Sequence, residues 1–327
     1  MKLQHTLTAS PHIKTGDGTS SVMLDVIIAL VPAGLAAIFF FGLFALSVIA
    51  TSVACCVLAE YIWCKALKKP VTTGDLSAVV TGLLLAYSLP PSTPLWVVII
   101  GGAFSIIIVK EFFGGLGHNF MNPALCGRAF LLASWPVYLT KWTAPSFFGT
   151  DAISTATPLA SLNAGSIADL PALSDMFFGN RGGCIGETSS ALILLGGLYL
   201  IVRKIISWQI PVMYILTSFI FSLLVSGGNF SQSLLAGTFH IMTGGLLLGA
   251  IFMATDYTTS PVTPLGHIIM GIGCGLITSL IRMGGGYAEG VTYAILVMNA
   301  FTPLIDRYIR PRPFGYFSKK READVNA

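Results

Sequence analysis

The chain has 327 residues, 54% of them hydrophobic and 10% charged, with a net charge of +4 and a mean hydropathy of +0.80. Soluble domains carry roughly 25% charged residues, so this composition excludes a water-soluble globular protein and points to an all-α integral membrane protein. No basic stripe interleaved with aromatic residues runs through it, so no nucleic-acid partner is expected.

The first twenty residues are polar, with His5, His12, Lys14 and Asp17. No short apolar core with a cleavage site precedes the first long run, which is expected to act as its own insertion signal. The apolar runs number about ten: 21–41, 43–63, 76–89, 95–113, 123–134, 188–202, 210–225, 234–254, 265–281 and 291–305. Gly42 marks a tight turn between the first two, and Pro90 and Pro91 end the third. A full span needs about 20 residues, so the short third and fifth runs predict broken or half-depth helices. A polar stretch separates the fifth run from the sixth, giving four regions: 1–134, 135–187, 188–309 and a basic tail at 310–327.

Lys and Arg set the orientation. With the amino terminus in the cytoplasm, fourteen fall inside, including Lys65, Lys68, Lys69, Lys110, Arg203, Lys204 and Arg307, while Arg128, Lys141, Arg181 and Arg282 fall outside or near outer ends. Both termini are then cytoplasmic and 135–187 faces outward. The chain also repeats itself: GLLL at 82–85 recurs at 245–248, TPL at 93–95 recurs at 263–265, and Gly101, Gly114 and Gly115 match Gly271, Gly284 and Gly285. A seven-residue insertion near 256–262 separates the copies. Five spans per copy is an odd number, so the second copy enters the membrane inverted, as in many transporters with sites at the repeat interface.

Several residues could carry chemistry. Asn119 and Asn122 are spaced to share one face of a helical turn; their amides suit the edge of a heterocycle, or else they cap a helix before Pro123. Arg128 lies in a short membrane run, where a cation is costly, and serves either a phosphate or an anchor at the headgroups. Asp256 sits among Thr255, Thr258, Thr259 and Ser260 and is a candidate for a cofactor or cation, or an ordinary helix-end residue. Asp25 and Glu60 are candidates for an ion path, or they pair with neighbours. Asp75, Glu111 and Asp306 read as solvated helix ends beside Lys69, Lys110 and Arg307. The six cysteines form no CxxC pair and read as small buried hydrophobes. His118, His240 and His267 lack metal-ligand spacing. No metal site and no nucleophilic catalytic set stands out. Read without a family, a cofactor-free channel or carrier built on an inverted repeat fits as well.

Four stretches carry a resemblance: SVMLDVIIALVPA near the start, NFMNPALCGRAFL at 119–131, DAISTATPLA at 151–160 and MATDYTTSP at 253–261. Over nearly its whole length the chain resembles the family of D subunits of Rnf complexes, and more distantly the B subunits of sodium-pumping NADH:quinone oxidoreductases. The last stretch and the short amino terminus favour the Rnf side. The resemblance implies a membrane redox subunit, inactive alone, of an electron path between ferredoxin and NAD coupled to movement of sodium or protons. It implies a flavin mononucleotide (FMN) held covalently on the outer side through a phosphoester to Thr157. Around that residue Ala156 is small, Asp151 and Ser154 are polar grips for a separate flavin transferase, and Pro158 favours an extended shape before it; on local pattern alone the run is equally a Ser/Thr-rich turn. The Asn119 and Asn122 pair matches a motif that contacts a non-covalent riboflavin in the quinone-oxidoreductase relatives, which makes a second flavin an expectation. Implied partners are membrane iron–sulfur subunits, an outward-facing flavoprotein subunit and cytoplasmic subunits that bind NAD and ferredoxin, all in a bacterial cell membrane.

Overall fold

The computed structural model describes residues 18–145, 172–225, 230–284 and 290–310, which fold as helices, turns and short connections. All ten apolar runs form helix. α1 (Thr19–Phe41) and α2 (Leu43–Ala66) are joined through Gly42, whose φ of 66° turns the chain back at once. α3 (Ser77–Tyr87) follows a short 3₁₀ turn, and α4 (Leu95–Ala103) continues directly into a π-helix, Phe104–Glu111. α5 (Pro123–Ser134) closes the first half. The described part of the polar stretch contributes two short helices, α6 (Pro136–Leu139) and α7 (Leu173–Phe178). The second half holds α8 (Ser190–Val202), α9 (Gln209–Val225), α10 (Phe230–Met242), α11 (Leu246–Leu248) with its π-helical extension Gly249–Met253, α12 (Pro264–Gly284) and α13 (Val291–Tyr308).

The short third and fifth runs are 11 and 12 residues of helix, as their lengths predict. The eighth run is not the single span expected: it bends by 62° between α10 and α11. Gly244 and Gly245 both take positive φ there, 68° and 64°, which ends one helix and starts the next. Arg282 of α12 satisfies the carbonyls this exposes, donating to His240 O at 2.5 Å, Thr243 O at 2.9 Å and Gly244 O at 3.2 Å. Three described helices (α1, α2 and α12) are long and apolar enough to cross a bilayer alone, and the bent α10–α11 pair makes a fourth.

The outer surface is apolar, with Leu43, Val202 and Leu224 all more than 70% exposed, the face a bilayer covers. The interior is built from small side chains such as Ala33, Ala37 and Ala45, and helices approach closely across glycine. A Cβ on Gly82 of α3 would lie 2.7 Å from the Val53 backbone of α2, and one on Gly196 of α8 would collide with the Ala29 carbonyl of α1. α2 packs on α3 and α4, as α9 packs on α10 and α12, while α1 lies on α8 and α5 on α13. The first helix of one half thus meets the first of the other, and last meets last.

Three of the four cations assigned to outer ends are buried in the fold rather than at its surface. Arg128, Arg181 and Arg282 are buried and hydrogen-bonded within the protein. Lys110 and Glu111, read as a solvated helix end, are buried too, because the π-helix turns both inward rather than releasing them to water. Among the described residues Lys141 is then the one surface cation on the side expected to face out.

Candidate functional site

The loop that follows the π-helix reverses tightly through Gly114, Gly115 and Gly117, all at positive φ, and brings Asn119 back against the bundle. Asn119 and Asn122 therefore do not share a helical turn as expected; Asn119 belongs to the loop, and Asn122 caps α5. The Asn122 Oδ1 accepts from Ala124 N at 3.1 Å and Leu125 N at 3.3 Å, while its Nδ2 donates to Met253 O at 3.2 Å. Asn299 of α13, its amide set by the surrounding donors and acceptors, accepts the Asn122 N–H at 3.2 Å. One side chain thereby ties α5 to the end of the α11 extension while α13 braces its backbone.

Asn119 and Asn122 face the same cavity, about 90 Å³, together with Asp256, Thr258, Lys110 and Ser77. Its remaining walls are apolar and include Val22, Val26, Val80, Leu84, Leu200 and Phe252. A water takes roughly 10–15 Å³ of such space, so the cavity has room for several waters. Asn119 Nδ2 donates to Thr258 Oγ1 at 2.9 Å, and Thr258 in turn donates to Asp256 Oδ2 at 3.1 Å. Thr259 donates to the same oxygen at 3.3 Å, so Asp256 organises the turn between the α11 extension and α12 while still lining the cavity. The Asn119 Oδ1 is buried with no hydrogen-bond partner among the described residues. Such an acceptor costs about 1–3 kcal/mol unless something donates to it.

Lys110 closes one side of this cavity. It is 2% exposed, and its Nζ donates to Glu60 Oε2 at 2.8 Å and to Ser77 Oγ at 2.7 Å. Thr72 donates to the other Glu60 oxygen at 2.6 Å, and Asp75 accepts from Ser77 N and Oγ at 2.8 and 2.5 Å. Glu60 is wholly buried by this network and is not itself part of the lining. Asp25 pairs elsewhere: Tyr199 donates to it at 2.7 Å and Arg203 at 3.0 Å, across the contact of α1 with α8. Arg128 does not reach the cavity lining and does not stand at the surface; it lies near Cys184, its Nη2 3.6 Å from the sulfur, and Cys184 donates to Ser88 O at 3.2 Å. Arg181 donates to Glu187 O at 2.6 Å, and burial pushes its guanidinium down to about 10 against the pull of the Glu187 carboxylate, which leaves it charged at neutral pH. Thr157, Asp151, Ser154 and Ala156 lie outside the described residues.

The cavity thus gathers Asn119, Asn122 and Asp256, with the Thr255 and Thr258 noted beside Asp256, and adds Lys110 and Ser77. A signal for Lys110 existed: it falls inside the fourth apolar run, 95–113, where a cation is expensive without a buried partner. Ser77 carried none, since single hydroxyls are common in membrane helices, and Thr258 stood out only as one of the hydroxyls beside Asp256.

Comparison with known proteins agrees over the whole chain. The model of the NQR2, RnfD, RnfE family matches residues 6–315. The D subunit of the Na(+)-translocating ferredoxin:NAD(+) oxidoreductase complex of Acetobacterium woodii is 51% identical over 98% of this chain and 99% of its own length. The D subunit of the proton-translocating ferredoxin:NAD(+) oxidoreductase complex of Clostridium ljungdahlii is 47% identical over 95% and 96%. The D subunit of the ion-translocating oxidoreductase complex of Stutzerimonas stutzeri is 38% identical over 90% and 91%. With its helical, lipid-facing fold and end-to-end identity to these relatives, the chain belongs to the NQR2, RnfD, RnfE family of membrane proteins.

Proposed function

We propose that this chain is the D subunit of an ion-translocating ferredoxin:NAD oxidoreductase of the Rnf type, a membrane redox subunit that works only within its complex. The observation that carries this reading is the 51% identity to such a subunit from one end to the other. The partners are membrane iron–sulfur subunits, an outward-facing flavoprotein and cytoplasmic subunits that bind NAD and ferredoxin. An FMN is esterified through its phosphate to Thr157 by a separate transferase, on the outer face, with both termini in the cytoplasm. The Ser/Thr-rich run around Thr157 supports that attachment. When bound, the flavin supplies one- or two-electron transfer, and the chain supplies binding, orientation and electrostatics.

A second, non-covalent flavin, riboflavin, enters the cavity of Asn119 and Asn122 by one edge. The unpartnered Asn119 Oδ1 is matched by the imide N–H of a flavin ring, and the apolar walls suit its flat faces. At about 90 Å³ the cavity takes the pyrimidine edge rather than the whole ring system.

Intact-mass measurement of the chain from its native membrane tests the first part: the expected result is one added FMN, with in-gel flavin fluorescence that disappears in Thr157→Val. A polypeptide of unmodified mass, made alongside its transferase, would remove the attachment. Flavin released by denaturing the purified complex tests the second part, since Asn119→Leu should lose the non-covalent flavin and keep the covalent one. The two relatives differ in coupling ion, so the ion is read directly by uptake into vesicles with and without sodium. Asp25, Asp256 and Glu60 are the proposed ion-path residues. Neutralising each in turn should lower uptake per electron at one or more of them, and unchanged coupling in all three would move the path to another subunit.

A further inference from the structure

A second cavity, about 410 Å³, lies between the end of α8, the start of α9 and the segment leading into α12. The proposed redox function makes no use of it. It meets the flavin-type cavity only at a shared wall of Ile205, Ile206, Thr255 and Tyr257, where the Tyr257 hydroxyl donates to the Ile205 carbonyl. Its polar lining comes from Lys204, Ser207, Gln209, Ser260 and His267, with Trp208 beside them.

Three observations bear on what it holds. Gln209 Oε1 is buried without a hydrogen-bond partner among the described residues, so it calls for a donor. Lys204 ends α8 in a left-handed turn at φ 58°, and among the described residues no carboxylate pairs with it, so it calls for an anion. Trp208 of the lining is more than half exposed, as are Val202 and Leu265, each two residues along the chain from lining Lys204 and His267, which sets the cavity where exposed apolar side chains meet a basic one. Tryptophan and lysine collect at that level in membrane proteins, and basic pockets between helices there take phospholipid headgroups.

We infer that this cavity binds the headgroup of an anionic phospholipid whose headgroup also carries hydroxyls, as in phosphatidylglycerol. The phosphate pairs with Lys204, beside the Ser207 hydroxyl and the His267 ring that lies 3.1 Å from it. A glycerol hydroxyl donates to Gln209 Oε1, and the acyl chains run over Val202 and Leu265. A phosphate ester of a soluble polyol offers the same groups; the exposed apolar flank favours the lipid. The site is independent of Thr157 and of any flavin.

Native mass spectrometry of the full chain, purified in a neutral detergent and titrated with palmitoyl-oleoyl phosphatidylglycerol or phosphatidylcholine, tests this. One phosphatidylglycerol is expected to be retained about fivefold more tightly than phosphatidylcholine, the ~1 kcal/mol that a basic side chain is worth at an anionic surface. Lys204→Gln and Gln209→Leu should each reduce that preference, and Lys204→Arg should keep it. Lys68→Gln, at another exposed left-handed lysine that ends a helix, should leave it unchanged. Equal retention of the two lipids overturns the inference, as does an undiminished preference in a folded Lys204→Gln chain. Displacement of the lipid by millimolar glycerol 3-phosphate also overturns it and assigns the cavity to a soluble ligand.

Discussion

At the scale of single residues, the buried pair of Glu60 and Lys110 dominates the energetics near the candidate site. Both charges have left water, and their attraction at 2.8 Å offsets that cost only because Thr72 and Ser77 complete the hydrogen bonding. Removing Glu60 leaves the buried Lys110 with only Ser77 and the more distant Glu111 carboxylate at 3.9 Å. Glu60→Leu is expected to destabilise the protein by about 3–5 kcal/mol, whereas Glu60→Leu with Lys110→Met recovers most of the loss. Thermal unfolding in detergent reads both. The double variant also separates folding from transport, because a stable protein that no longer couples ion movement assigns the Glu60–Lys110 pair a role beyond folding. Asn122→Ala removes a helix cap and the bond to Met253 O together, and is expected to cost about 1–3 kcal/mol by the same measurement.

At the scale of elements, the fold depends on two kinds of glycine. Gly196 lets α8 come down onto the backbone of α1, and Gly196→Val is expected to cost about 1–3 kcal/mol by overpacking a contact that cannot widen locally. The same contact carries Asp25 with Tyr199 and Arg203, so this variant should also weaken that pairing. Gly245 works differently, through its φ of 64° at the break between α10 and α11. Gly245→Ala forces a Cβ into a left-handed residue, about 1–2 kcal/mol, and to within 2.8 Å of Glu187 Oε1. Limited proteolysis or hydrogen exchange across 230–253 should show this bend loosening before the long helices do.

At the scale of the whole molecule, the burial of Arg128, Arg181, Arg282 and Lys110 changes what the charge count means. Cations held inside by backbone carbonyls, a thiol or a carboxylate say nothing about topology, and setting them aside leaves the inner side still richer in Lys and Arg. The proposed orientation predicts that, with the native cysteines replaced, a membrane-impermeant maleimide labels Lys141→Cys from outside the cell. Lys68→Cys should be labelled only in inverted vesicles. Labelling of both from one side would break the proposed topology, and the exchanged pattern would reverse it.

The sequence by itself determined the membrane class, the helical segments, the shortness of α3 and α5, and the family, because apolar run length, proline position and extended motifs are local properties. It pointed to Asn119, Asn122 and Asp256 but placed the two asparagines on one helical turn; the glycines after the π-helix put Asn119 in a loop instead, and both side chains still reach the cavity. The break in the eighth run was foreshadowed only by Gly244 and Gly245, since a pair of glycines inside an apolar run is equally a site of close helix contact. Burial of Lys110 with Glu60, 50 residues apart, and of Arg282 against carbonyls about 40 residues away was decided only by the tertiary structure. A charge finds its partner across space rather than along the chain, and in a membrane protein whether that partner exists decides whether the charge marks a boundary or an interior.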